Sequence, residues 1–192
     1  MSEPAAKRVA EIVEPLCDAL APLLDVPYAM WGHSMGGILA YETTRELRRR
    51  HARLPVTLVV AACRAPHVPR RMPPIHALDD ESFIAEIRRR YGGLPESTTT
   101  DRLSAELLRL MTPTLRADVT LAETYQYIEE PPLICQLVAL GGADDAAVTE
   151  ADLAAWRDHT TGDFEVHRLP GGHFFPDRQR PAIFDILRHA LR

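Results

Sequence analysis

Apolar positions along this chain change their period several times, and each change marks an element. Over residues 5–25, Val9, Ile12, Val13, Leu16, Leu20, Leu23 and Leu24 recur at helical spacing. Pro15 and Pro22 interrupt that stripe, so a kink or two short helices are expected. Pro27-Tyr28-Ala29-Met30-Trp31 is short, apolar and partly aromatic, and predicts a buried strand. Residues 37–47 return to a helical pattern. Residues 56–62 are almost continuously apolar and rich in β-branched side chains, which predicts a strand covered on both faces.

From about 66 to 127 the character changes. Prolines cluster at Pro66, Pro69, Pro73 and Pro74. Helical patterns follow over 80–90, 101–111 and 114–125, separated by Gly92-Gly93-Leu94-Pro95 and by Pro113. Strand character returns over 133–140, a turn at Gly141-Gly142-Ala143-Asp144-Asp145 follows, and a helix is expected over 150–158. Residues 164–169 read as the last strand and 179–191 as a closing helix. Strands that alternate with helices predict an α/β domain built on a parallel sheet. The chain reads as one domain over 1–192, with a core of 1–65 and 128–192 and a helical insertion over 66–127.

Composition narrows the choice of function. The 192 residues suffice for one domain with a sizeable core, and 46% hydrophobic content is ordinary for such a domain. A net charge of −5 gives no overall attraction to nucleic acid or to an anionic membrane. Arg48-Arg49-Arg50 and Arg88-Arg89-Arg90 fall near the ends of predicted helices, where cations complement the helix dipole. Cys17, Cys63 and Cys135 are far apart, lack metal-ligand spacing and read as buried free thiols. Met1-Ser2-Glu3-Pro4 does not start a secretory signal, and no apolar stretch approaches the ~18 residues of a membrane span. A cytoplasmic protein without metal or cofactor is expected.

Candidate chemistry centres on Gly32-His33-Ser34-Met35-Gly36, which fits G-x-S-x-G. The predicted strand before it and helix after it supply the context that this nucleophile elbow requires. Small residues are needed around so tight a turn, and Gly32 and Gly36 are expected to let neighbouring backbone approach. Ser34 is thus the candidate nucleophile. It needs a base within hydrogen-bond reach and a third group to orient that base. Groups at the carboxyl ends of later strands are placed to serve. Asp144 and Asp145 follow the strand over 133–140, and His173 follows the last strand in Gly171-Gly172-His173-Phe174-Phe175. His173 is the expected base. Asp145 is preferred as the acid, with Asp144 as the alternative. His33 lies inside the elbow, His67 precedes the acid in chain order, and His51, His76, His159 and His189 lie at helix ends or in loops.

These residues resemble the type II thioesterases of polyketide and nonribosomal peptide assembly lines. The segment 27–36 is similar to that family's nucleophile segment, and Ala62-Cys63-Arg64-Ala65-Pro66-His67 to the one leading into its lid. Leu115-Arg116-Ala117-Asp118 and Glu123-Thr124-Tyr125 resemble its lid helices. Ala155-Trp156-Arg157-Asp158-His159-Thr160 and the segment 171–175 resemble its C-terminal part. The resemblance implies an α/β-hydrolase with a helical lid over 66–127, hydrolysing acyl thioesters on the phosphopantetheine arm of acyl or peptidyl carrier proteins. It implies Ser34 as nucleophile, Asp145 as acid and His173 as base, with the Met35 N–H as an oxyanion donor. It also divides Phe83, Ile84, Ile87, Leu107, Leu108, Leu110 and Met111 between core packing and an acyl tunnel, with Met111 as an adaptable wall. Family members carry further strands and a His-Ala-Gly-Gly-like loop upstream of the first helix, so about four strands and a front shortened by that segment are expected here. A general serine esterase of the same fold and a non-catalytic carrier-binding module are the competing readings.

Overall fold

A computed structural model describes residues 5–94 and 102–191, with the backbone alone described at 102–105. Residues 1–4, Pro95 and the expected helix start at Asp101 lie outside the described residues. Strands β1 (Ala29–His33), β2 (Thr57–Ala61), β3 (Gln136–Gly142) and β4 (Phe164–Leu169) form one parallel sheet in the order β1-β2-β3-β4. In register, Gly32 lies beside Val60, and Val60 beside Ala139.

The near-continuous apolarity of β2 follows from its central place. Every one of its residues is buried. Leu58 and Val60, with Leu137 and Ala139 of β3, face a core completed by Tyr41, Leu153 and Trp156. Val59 and Ala61, with Val138 and Leu140, face the opposite core against Phe175 and Ile183. Each of the valines and leucines contributes about 1.5–3 kcal/mol by burial, and each alanine about 0.8 kcal/mol. Helices α1 (Ala10–Leu20), α2 (Met35–Arg49), α3 (Asp80–Tyr91), α4 (Arg102–Thr124), α5 (Glu150–Ala154) and α6 (Arg180–Ala190) complete the described fold. Val9, Val13 and Cys17 pack α1 against Leu47 of α2.

Two proline expectations need correction. Pro15 lies inside α1 without ending it, and the helix gives way to a 3-10 turn only at Ala21–Leu23, where Pro22 sits. Pro113 does not divide two helices, because α4 continues through it. A proline costs the helix one N–H and a steric clash. Packing beyond Pro113 offsets that cost: Leu115 and Val119 lie against Ile75, Phe83 and Ile87, and the Arg116 guanidinium sits 4.3 Å from the Phe83 ring centre. The first strand also lies two residues later than expected, so that it runs directly into the elbow. The helix expected over 150–158 splits into α5 and a 3-10 turn, Ala155–His159.

All three cysteines are free and buried. Burial pushes the Cys63 thiol up to about 12 and that of Cys135 up to about 11. Among the described residues, no helix is long and apolar enough to cross a membrane.

Candidate active site

Ser34 stands between the last residue of β1 and the first of α2, with φ 54° and ψ −121°. A non-glycine residue with positive φ is strained, and such strain persists only where its surroundings enforce it. Here the Ser34 N–H donates to the Ala61 carbonyl at 2.8 Å, and the Gly37 N–H donates back to the Ser34 carbonyl at 2.9 Å. The glycines of the elbow are not equivalent. A Cβ on Gly32 would lie 1.9 Å from the Gly36 carbonyl oxygen. One on Gly37 would lie 2.8 Å from the Cys63 Cβ, whereas one on Gly36 would meet nothing within 4 Å. Close approach is therefore a demand on Gly32 and Gly37, and the expectation for Gly36 is corrected. The reason is directional: Gly36 presents its carbonyl inward to Gly32 and its own Cα outward.

The loops after β3 and β4 meet beside this serine. Gly142 makes their approach possible, since a Cβ there would lie 2.3 Å from the Gly172 carbonyl oxygen. The Asp144 N–H donates to the Gly171 carbonyl at 2.9 Å. His173 Nε2 lies 2.9 Å from Ser34 Oγ, and His173 Nδ1 lies 2.9 Å from Asp145 Oδ2. Asp145 and His173 are both buried, while Asp144 is exposed. The other Asp145 oxygen accepts the Ala147 N–H at 2.8 Å. With its carboxylate on Nδ1–H, the imidazole presents a bare Nε2 to the serine hydroxyl.

The remaining histidines have other partners. His33 Nε2 donates to the His173 carbonyl at 2.8 Å, a bond between residues far apart in sequence that no local pattern signals. His76 Nδ1 donates to Glu123 at 2.6 Å, and that carboxylate also accepts the N–H groups of Ile75 and His76. His159 is buried between the Tyr41 hydroxyl at 2.8 Å and His67 Nδ1 at 2.7 Å. Burial, then the neighbouring His67, pulls its pKa down to about 4. No group of three or more His, Cys, Asp or Glu among the described residues is placed to hold a metal ion.

Two cavities open onto Ser34 and His173. One, of about 290 Å³, is walled by Ile87, Leu115, Val119 and Phe174. The other, of about 120 Å³, lies toward Ala62, Arg64 and Arg71. Arg70, Tyr91 and Ala122 border both. The Tyr91 ring at the end of α3 lies 4.7 Å, centre to centre, from His173. Of the expected tunnel positions, Ile87 lines the larger cavity, whereas Leu110 and Met111 are exposed. Leu115, Asp118, Val119 and Ala122, spaced as one helical face, turn inward instead. A cavity of about 460 Å³ between α1, α2 and the end of α4 is larger but touches none of Ser34, His173 and Asp145.

The thioesterase domain model matches residues 1–191. The chain belongs to the thioesterase family. It is 36% identical over 190 residues to linear gramicidin dehydrogenase LgrE of Brevibacillus parabrevis, covering 99% of this chain and 72% of that relative. It is 39% identical to thioesterase PikA5 of Streptomyces venezuelae, covering 99% of this chain and 66% of the relative. Among solved structures, the type II thioesterase BorB from the borrelidin biosynthetic cluster superposes with a TM-score of 0.83 at 34% identity, over 99% of this chain and 73% of BorB. The chain thus spans between 66% and 73% of these relatives' lengths. Membership of the family is what these matches establish, whatever reaction one relative's name denotes. The fold is that of the α/β-hydrolase thioesterases, and the chemistry of the family is hydrolysis of thioesters.

Proposed function

We propose that Ser34, His173 and Asp145 are the catalytic triad of a thioesterase that clears acyl groups from the phosphopantetheine arms of acyl or peptidyl carrier proteins. The continuous path of two 2.9 Å contacts, from Ser34 Oγ through the imidazole to Asp145, carries this reading. His173 Nε2 takes the serine proton as Oγ attacks the thioester carbonyl. Asp145 holds the ring in the tautomer that permits this and stabilises the imidazolium. The Met35 N–H begins α2, and it has no acceptor among the described residues. It is the donor assigned to the oxyanion, reinforced by the positive end of the helix. Collapse of the intermediate breaks the C–S bond, and His173 returns its proton to the departing thiolate. Water, deprotonated by the same nitrogen, then releases the acid and restores Ser34.

Residues 66–127 are assigned the role of a lid, because α3 and α4 furnish walls of both cavities. Relatives such as PikA5 and BorB supply the analogy for a polyketide or nonribosomal peptide setting. Buried free cysteines accord with a reducing cytoplasm. The test is release of thiol from an acylated carrier protein, together with adduct mapping after fluorophosphonate treatment. The reading requires thiol release that is lost in Ser34→Ala and an adduct on the Ser34 peptide. Hydrolysis of oxygen esters alone would support the general esterase instead, and an adduct on another serine would overturn the assignment.

A further inference from the structure

Helices α2 and α4 pack along a seam that begins at the elbow. Ile38 and Glu42 follow Ser34 at intervals of four residues, so they lie on one face of α2. Across from them stand Ala122, in the last turn of α4, and Tyr125, just beyond it. Near Ser34 the seam holds the cavity of about 120 Å³. Its wall on this side, Met35, Ile38, Ala122 and Tyr125, is apolar apart from the tyrosine hydroxyl, and its arginines come from the segment 64–71 and from α3. Farther along lies the cavity of about 460 Å³, where Val9, Val13 and Leu121 are buried and Lys7, Arg8 and Glu14 are exposed at the mouth. Among the described residues, Tyr125 alone lines both of these cavities. The cavity of about 290 Å³ carries Asp118 and Glu123 and shares no lining residue with the large one.

Tyr125 is tied across the seam. Its hydroxyl donates to Glu42 Oε1 at 2.5 Å, and the same oxygen accepts from Arg45 at 2.6 Å. Burial, then the Glu42 charge, pushes the phenol above its ordinary range, so it stays a donor. The ring and Ile38 both pack against the core that contains Val9, Val13 and Leu47. At ~1.5 Å per helical residue, Glu42 lies about 12 Å along α2 from Ser34. A butyryl group carried by Ser34 ends short of this bridge, whereas a myristoyl group extended along the seam meets the tyrosine ring. We propose that Tyr125 is a specificity-determining stop: it closes the passage between α2 and α4 and so sets the longest acyl group that the site accepts. This rests on Ser34 being the nucleophile. The space behind the ring is bounded by Val9, Val13 and Leu121, apolar side chains that suit the far end of a hydrocarbon chain once the ring is gone.

Binding to the Ser34→Ala protein tests the inference without turnover. The probes are the butyryl and myristoyl thioesters of coenzyme A, the second also with a photoreactive diazirine at the end of its chain. Adding Tyr125→Ala should tighten myristoyl binding by about tenfold or more in titration calorimetry, because methylenes held in water become buried, and should leave butyryl binding within about twofold. The diazirine should then label the α1 peptide that carries Val9 and Val13, which it leaves unlabelled while the tyrosine is in place. Tyr125→Leu, a milder change in the same cluster, should move myristoyl affinity in the same direction, and thermal unfolding checks that each variant is folded. Myristoyl affinity unchanged in both variants, butyryl and myristoyl affinities that change together, or labelling of α1 with Tyr125 present would each overturn the inference. Failure of the butyryl thioester to bind Ser34→Ala would instead overturn the acyl site at Ser34, and the stop with it.

Discussion

His33 Nε2 donates to the backbone carbonyl of His173 at 2.8 Å, tying the strand end that leads into Ser34 to the loop that carries the proposed base. The bond fixes the tautomer of His33, and burial lowers its pKa so that the ring stays a neutral donor near pH 7. The two rings are 5.2 Å apart, centre to centre, and Phe174 packs beside both. His33 is thus a positioning residue: it sets where the imidazole of His173 stands relative to Ser34 Oγ. His33→Phe keeps the ring and removes the donor. It should lower kcat by about ten- to hundredfold with little change in KM, since small displacements of a catalytic group are costly. His33→Gln, which restores a donor, should recover part of the loss. Equal rates in all three proteins would show that the bond is only structural.

Asp145 and Asp144 are neighbours with opposite surroundings. Asp145 is buried, with one oxygen on His173 and the other on the Ala147 N–H, whereas Asp144 is exposed. Asp145→Asn offers the imidazole an amide, which cannot stabilise its charged form and favours the wrong tautomer. Turnover should fall by about 10⁴-fold, while Asp144→Asn stays near the unsubstituted rate. The ratio of the two rates on one thioester substrate is the measurement. A larger loss at Asp144 would reverse the assignment.

What was legible in the sequence shares a physical cause. Strand β2 could be read because a central parallel strand is buried on both faces, and its sequence is apolar without alternation. The proximity of Ser34, Asp145 and His173 could be anticipated because parallel strands deliver their following loops to one edge of the sheet. The features that escaped are set by distant partners. Nothing near Pro113 shows that α4 continues, because Phe83 and Ile87 come from another helix. The spacing of the elbow does not reveal that Gly37, and not Gly36, faces Cys63.

The unequal glycines give a direct stability test. Gly32→Ala would place a methyl 1.9 Å from the Gly36 carbonyl oxygen and 2.6 Å from the Gly37 nitrogen, so backbone must move. Loss of more than about 3 kcal/mol is expected from strain of this kind. Gly36→Ala meets open space in the first turn of α2, and alanine favours the helix by roughly 0.5–1 kcal/mol. Urea unfolding should therefore show a lower midpoint for the first variant and an equal or higher one for the second. Equal destabilisation of the two would mean that the elbow is not packed as described.

Acid should weaken the fold through His159. Its ring is buried against Tyr41, Trp156 and Tyr127, with His67 on its outer nitrogen and Arg45 near Tyr41. Burial and then His67 hold its folded-state pKa at about 4, below the ordinary 6.5, with Asp158 opposing. The unfolded chain therefore takes up a proton between pH 6.5 and 4 that the folded chain refuses. Stability from this site is complete above pH 6.5, falls as the pH drops toward 4, and changes no further below it. Glu130 acts in a lower window. Despite burial, Arg49 and Arg48 hold it near about 2, so its contribution is lost only between pH 4.5 and 2. Urea midpoints measured from pH 7.5 to 4 should decline, and His159→Gln should flatten that decline. Ring shifts in an NMR titration should leave His159 neutral until close to pH 4. A His159 that protonates near 6.5 in the folded protein would overturn the assignment of this acid sensitivity to the buried Tyr41–His159–His67 chain.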